Sequence, residues 1–341
     1  MISLLLYSIP QKTGTGLGLA VRYKPLGRTG VKVSAVSLGT ATFGVAPLEQ
    51  DCDRLVGRAL DLGINMIDMA NSYGNQARFD RPGAPAWTDR HSAEEIVGTV
   101  LKGRRDGLIL CSKVMEPVGE GVNDSGLSRR HIVQQLEQSL RRLRTDHLDV
   151  YYAHHPDAAT PIDETIRAFD DLVRQGKLRY YALSTYPAWQ VVDALWKAER
   201  CGAHAPACLQ VQYNLARRDP ELDIVPICLA NALSLTIFSP LAGGLFAGPS
   251  KRTEAFVGRR RWGGTPFTER EIALAEALEQ LAQQHGHSPA TLALAWLISK
   301  PTVASAIVGA EDLDQLEANA AAADLDLPTE LLAALDEIGK P

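Results

Sequence analysis

The sequence offers no membrane-length apolar run, no cysteine pairing and no basic surface. Its first apolar stretch, MISLLLYSIP, falls far short of the ~20 residues of a spanning helix, has no basic segment before it, and runs into polar QKTGTG. Residues 1–20 are therefore expected to be a flexible extension ahead of one folded domain over 21–341. Five cysteines (Cys52, Cys111, Cys201, Cys208, Cys228) are scattered, odd in number and without CxxC spacing, so neither a disulfide framework nor a zinc knuckle is expected. That usage fits a reducing cytoplasm. With 35 Lys and Arg against 40 Asp and Glu, the net charge is −5, and no basic stripe is interleaved with aromatics. Nucleic acid is thus excluded as an expected partner, as is a membrane surface.

What is present is an alternation. After Arg22, short β-type runs are each followed by an amphipathic helical stretch: AVSLGT (35–40), GINMID (63–68), LILCSK (108–113), LDVYYAHH (148–155), RYYALS (179–184), CLQVQY (208–213), SLTIFSP (234–240) and SAIVGA (305–310). Helix starts are marked by Ser92 with Glu95 as a capping box, by Ser128, and by Ser288 before Pro289. In 132–143, Ile132, Val133, Leu136, Leu140 and Leu143 share one face, with Glu137 four residues before Arg141 on the other. Eight such units with no linker-like tract predict an α/β fold, a (β/α)8 TIM barrel, over a doubly wound sheet. RYKPLGRTGVKVS reads as a hairpin around Gly-Arg-Thr-Gly that closes the N-terminal end of the barrel. Two insertions, 74–91 and 246–268, follow strands, where a barrel keeps its active-site loops.

Asp68, Lys113 and His154 each fall at the C-terminal end of a predicted strand, and those ends converge on one mouth. Tyr73 follows Asp68 closely. A tyrosine, with its ordinary pKa of about 10, donates a proton poorly unless a cation stabilises the phenolate, a task Lys113 suits. Buried lysine loses its own proton unless a carboxylate holds it charged, which gives Asp68 a role. His154 is suited to orient a carbonyl oxygen. The four together suit carbonyl reduction, for which a cofactor must supply the electrons.

The stretches YKPLGRTGVKVSAVSLGT, GINMIDMANSYGN, LCSKV, GLSRRHI, LDVYYAHHPD, GKLRYYALST, LQVQYNL, FSPLAGGLFAG and SPATLALAWLISKPTVASAIVGAEDLDQLEANAAA, in this order and spacing, resemble the aldo-keto reductase superfamily from about Tyr23 to the C-terminus. Its branch of bacterial sugar and ketone reductases and potassium-channel β subunits is the most similar. The resemblance implies the tetrad Asp68, Tyr73, Lys113 and His154, with Tyr73 as proton donor. It implies cofactor contacts at Gly39 and Thr40, at Ser184 and Gln210 for the nicotinamide carboxamide, and at Phe238 as the stacking ring. Ser239 and Leu241 match pyrophosphate contacts, and Gly309, Glu311, Gln315 and Asn319 match the adenosine end. Departures are Thr185 where relatives often have Asn, Pro249 in place of a lysine with Lys251 and Arg252 nearby, and Glu311 where relatives carry Ser, Arg or Lys. NADP(H) is the cofactor the resemblance favours. NAD(H) is the alternative, because a carboxylate at 311 repels a 2′-phosphate and accepts a hydrogen bond from a free ribose hydroxyl.

Other features carry plainer readings. GTGLG (14–18) has no strand before it, and His285-x-His287 suits a helix end. His154-His155-x-Asp157 is not expected to bind a metal, since adjacent strand residues face opposite sides. Cys111 shares a strand face with Lys113 and is expected to pack, with oxidation as the alternative. Phe79, Arg81, Trp87 and Arg90 in the first insertion, and Arg259–Trp262 in the second, are expected to wall the substrate site, with Trp87 and Trp262 as substrate contacts. The expected function is NAD(P)H-dependent reduction of an aldehyde or ketone, a small-molecule substrate of polar or sugar-like character. The alternatives are a non-turnover redox-sensing subunit similar to the channel β subunits, and a Schiff-base aldolase using Lys113.

Overall fold

A computed structural model describes residues 21–249 and 266–340. All eight predicted strands form, as β3 (Val36–Gly39), β4 (Met66–Asp68), β5 (Ile109–Val114), β6 (Leu148–Ala153), β7 (Leu178–Ser184), β8 (Cys208–Gln212), β9 (Ser234–Phe238) and β10 (Val303–Val308). They close into a parallel barrel in sequence order, with β10 beside β3. Register puts Gly39 opposite Asp68 and Ser184 opposite Gln210, and all four face the mouth.

The preceding hairpin pairs β1 (Tyr23–Pro25) with β2 (Lys32–Ser34). Leu26 and Val33 are fully buried in a cluster with Met66, Cys111, Val150, Tyr152, Ala182, Cys208 and Ala304, the inward-facing residues of the strands. The hairpin therefore plugs the barrel bottom, as its sequence suggested. Its tip is a close fit: a Cβ on Gly27, where φ is +55°, would meet the Ala207 carbonyl oxygen at 2.4 Å.

The helix starts behave as their sequences predict. Ser92 and Glu95 make a reciprocal capping box, Ser128 accepts from the His131 N–H, and Ser288 accepts from the Thr291 N–H with Pro289 in the first turn. The helix Arg129–Leu143 buries Ile132, Leu136, Leu140 and Leu143. Glu137, however, is bonded to Lys177, beyond its own helix.

The insertion 74–91 is ordered by one side chain. Arg90, whose side chain is 1% exposed, pairs with Asp80 at 2.9 Å and donates to the carbonyls of Gly74, Pro85 and Gln76. Short 3₁₀ turns at Ala77–Phe79 and Trp87–Asp89 complete it. The expected extension 1–20 with its GTGLG, and the expected contacts Lys251, Arg252 and Arg259–Trp262, lie outside the described residues. Among the described residues no helix is long and apolar enough to cross a membrane.

Candidate active site

At the C-terminal mouth, a cleft of about 1210 Å³ opens over the strand ends. Asp68, Tyr73 and His154 line it, and Lys113 lies beneath them, wholly buried. Lys113 Nζ is bonded to Asp68 Oδ1, donates to the Met69 carbonyl at 2.8 Å, and reaches the Tyr73 hydroxyl at 3.3 Å. Burial alone would strip the ammonium of its proton; Asp68 and Tyr73 outweigh burial and hold the Lys113 pKa above its ordinary value.

For Tyr73 the balance differs from the sequence expectation. Burial pushes its pKa up, Lys113 pulls it down, and burial wins. The phenol therefore holds its proton at neutral pH. His154 meets the Tyr73 ring edge-on, at 5.9 Å between centroids. Burial, followed by Lys113, His155 and Arg78, keeps the His154 pKa well below its usual value, so the imidazole is neutral.

Gln210 joins this group in a way its sequence position did not reveal. Its side-chain nitrogen donates to Asp68 Oδ2 at 2.8 Å. A carboxylate only accepts, so the Gln210 amide must present its nitrogen there, leaving its oxygen as the free acceptor beside the cleft. Gly39, Thr40, Ser184, Phe238, Ser239, Leu241, Gly309, Glu311, Gln315 and Asn319, the other expected cofactor contacts, all line the same cleft. After β9, Ser239, Ala242 and Gly243 have φ of 51°, 52° and 67°. A cleft this large with an amide acceptor deep inside and an aromatic ring at Phe238 fits a dinucleotide.

Arg81, from the insertion after β4, pairs with Glu311 at 2.9 Å across the cleft. The carboxylate at 311 is thus accompanied by a cation that sequence spacing did not reveal. Phe79 and Arg81 line the cleft as expected. Trp87 does not: it is 45% exposed and absent from the cleft wall, because Arg90 folds the insertion so that 78–82 and not 87 faces inward. Arg90 likewise braces the insertion and is not part of the cleft wall.

The two histidines require a correction. β6 ends at Ala153, so strand alternation no longer applies, and both His154 and His155 line the cleft with rings stacked at 4.6 Å and 10°. Glu116 brings its carboxylate near both, with ligand-type atoms of all three within 4.8 Å of one another. Parallel rings direct their lone pairs along parallel planes, which is not how two imidazoles share an ion at ~2.0–2.1 Å. Asp157 lies apart, accepting from the Leu127 N–H at 2.8 Å and the Thr160 hydroxyl at 2.7 Å. Cys111 packs inside the barrel, and burial pushes its thiol pKa well up despite Lys113 nearby.

The sequence profile of the Aldo/keto reductase family matches residues 35–340. YrpG, an uncharacterized oxidoreductase of Bacillus subtilis (strain 168), is 35% identical over 326 residues, covering 93% of this chain and 96% of the relative. A protein of Arabidopsis thaliana named "Probable voltage-gated potassium channel subunit beta" is 33% identical over 330 residues, 93% of this chain and 95% of its own. L-glyceraldehyde 3-phosphate reductase of Escherichia coli (strain K12) is 32% identical over 337 residues, 93% of this chain and 92% of its own.

Proposed function

Because this chain belongs to the aldo/keto reductase family, we propose that it reduces an aldehyde or ketone to an alcohol with NAD(P)H, using Tyr73 as proton donor. The observation that carries this reading is the buried Lys113, held by Asp68 and set 3.3 Å from the Tyr73 hydroxyl at the floor of the cleft. When bound, the nicotinamide supplies hydride. Ser184 and the oxygen of Gln210 would hold its carboxamide, and Phe238 would offer it a ring to stack on.

Tyr73 keeps its proton until a carbonyl oxygen gains charge beside it, then transfers that proton; Lys113 stabilises the phenolate left behind. Neutral His154 donates a hydrogen bond to the same oxygen and does not compete as an acid. The wall formed by Arg78, Glu116, His155 and Arg217 suits a small, polar, hydroxylated carbonyl. Similarity to an L-glyceraldehyde 3-phosphate reductase supports starting the substrate panel with hydroxyaldehydes and their phosphates.

NADP(H) is the favoured cofactor. Arg81 offsets the charge of Glu311, which weakens the case for NAD(H) that the carboxylate alone would make. Five free cysteines fit a reducing compartment, the cytoplasm. Similarity to a protein named as a channel β subunit keeps a cofactor-sensing role as the second reading.

The test is Tyr73→Phe, assayed with NADPH and NADH over the carbonyl panel. Reduction should fall by about 10²–10⁴-fold, with cofactor affinity by tryptophan fluorescence retained. Full activity in the variant would overturn the acid role, and a wild type that binds cofactor but reduces nothing would favour the sensing role.

A further inference from the structure

Tyr73 follows the end of β4 on a turn that must deliver its hydroxyl to Lys113. The main chain of this turn is held at its start by the Met69 N–H, which donates to the Cys111 carbonyl at 2.9 Å, and further on by the Asn71 N–H, which donates to the Lys113 carbonyl at 3.2 Å. Pairing with β5 thus continues past β4. At its far end the Ala93 N–H, in the first turn of the helix Ala93–Val100, donates to the Tyr73 carbonyl at 3.0 Å. Side chains fix the middle.

On the solvent side, Arg78 donates to the Ser72 hydroxyl at 3.1 Å from a side chain that is 44% exposed. The inner side carries a buried bond between two amides: Asn71 Nδ2 donates to Gln135 Oε1 at 3.1 Å, and the two residues are 6% and 3% exposed. Gln135 belongs to a row on the helix Arg129–Leu143, in which His131, Gln135 and Ser139 are spaced four apart and buried beside the apolar Ile132, Leu136 and Leu140. An apolar residue is the ordinary choice on such a face. Removing either amide takes from the other its partner in a buried site, and the turn shifts to find a new one.

The place of this bond gives it leverage on the chemistry. Asn71 is pinned to Lys113 through its N–H and to the helix through its amide, and Tyr73 follows at once after Ser72. The Tyr73 hydroxyl lies 3.3 Å from Lys113 Nζ, which is long for a bond to an ammonium, so a small displacement of the turn breaks it. Burial raises the Tyr73 pKa, and Lys113 is the first of the groups that pull it back. A weaker contact therefore leaves the phenolate formed by proton transfer less stable.

We propose that Asn71 and Gln135 are positioning residues, whose buried amide bond holds the turn 69–73 against the helix Arg129–Leu143 and so sets the reach of the Tyr73 hydroxyl to Lys113 and to the substrate carbonyl. This rests on the acid role given to Tyr73 in the proposed function. Neither amide touches the cleft.

The test uses the full-length protein and Gln135→Leu, which removes the acceptor at similar size. The kcat for carbonyl reduction should fall by about 10–10²-fold, the effect of misplacing a reacting group by ~1 Å, with NADPH affinity by tryptophan fluorescence retained. The solvent deuterium effect on kcat should rise, because proton transfer from a displaced Tyr73 becomes the slow step. A role in stability alone moves neither. Asn71→Leu breaks the same bond, so the double variant should lose no more kcat than the worse single one. Hydrogen exchange reads the turn without substrate: in Gln135→Leu the amides of Asn71 and Tyr73 should exchange about tenfold faster, with those of β5 unchanged. Gln135→Met serves for every readout if Gln135→Leu fails to fold. Wild-type kcat in a folded variant, losses that multiply in the double variant, or unchanged exchange would overturn the proposal. Failure of the acid role would show separately, as full turnover in Tyr73→Phe with the exchange response to Gln135→Leu intact.

Discussion

Lys113 and Asp68 form an ion pair whose side chains are 0% and 4% exposed. Such a pair is costly to desolvate, so its presence is better explained by the chemistry above it than by stability. Lys113→Met leaves the Asp68 carboxylate with only Gln210 and other neutral partners, an expected loss of about 3–5 kcal/mol of folding stability. Adding Asp68→Leu should restore most of it by removing the orphaned charge. Both variants should be inactive in carbonyl reduction. Urea unfolding with activity assays checks this; a single variant as stable as wild type would show that the pair is less desolvated than its burial indicates. The members of this pair were legible in the sequence because each ends a recognisable strand. The tie to Gln210 was not, since it spans 142 residues and depends on the barrel closing.

At the scale of the element, the insertion 74–91 turns on Arg90. It contributes an ion pair to Asp80 and three donations to main-chain carbonyls within its own segment. Each charge-assisted bond adds about 1.5–3 kcal/mol to what must be broken for the segment to open. Arg90→Ala should therefore speed hydrogen exchange of the amides in 74–90 by at least tenfold. It should also expose Arg78 and Arg81 to trypsin and weaken cofactor binding, because Arg81 would no longer be presented to Glu311. Exchange and proteolysis unchanged from wild type would mean that the segment is held by its other contacts. The sequence marked Phe79 and Arg81 of this insertion as facing inward, and they do, but it also turned Trp87 and Arg90 inward, which line no part of the cleft. Which face turns in is decided by where one guanidinium finds its carbonyls, and no periodicity encodes that. Helix starts were readable for the opposite reason: Ser92 with Glu95, and Ser288 with Pro289, act within four residues of chain.

For the whole molecule, barrel formation depends on joining segments far apart in sequence, and the hairpin shows how. Lys24 donates to the carbonyls of Ile298 at 2.7 Å and Lys300 at 3.1 Å, tying the plug to the end of the helix Pro289–Ser299. The plug itself was foreseeable from RYKPLGRTGVKVS, whereas this tie, made across 274 residues, was not. Burial, with Arg22 adding like-charge repulsion, lowers the Lys24 pKa from 10.5 to about 8. Below that value the folded and unfolded chains both hold the proton, and the fold bears the cost of a buried cation. Between about 8 and 10.5 the unfolded chain binds more protons than the folded one, so this site makes stability rise with pH, levelling off above that window. Lys24→Met has no proton to lose. Urea unfolding of wild type and Lys24→Met at about pH 7 and about pH 10 isolates the site, because every other titrating group is common to both. The wild type should gain stability relative to the variant at the higher pH. A difference that stays constant would mean that the two carbonyls hold Lys24 charged throughout, with its attraction to the helix end outweighing its burial.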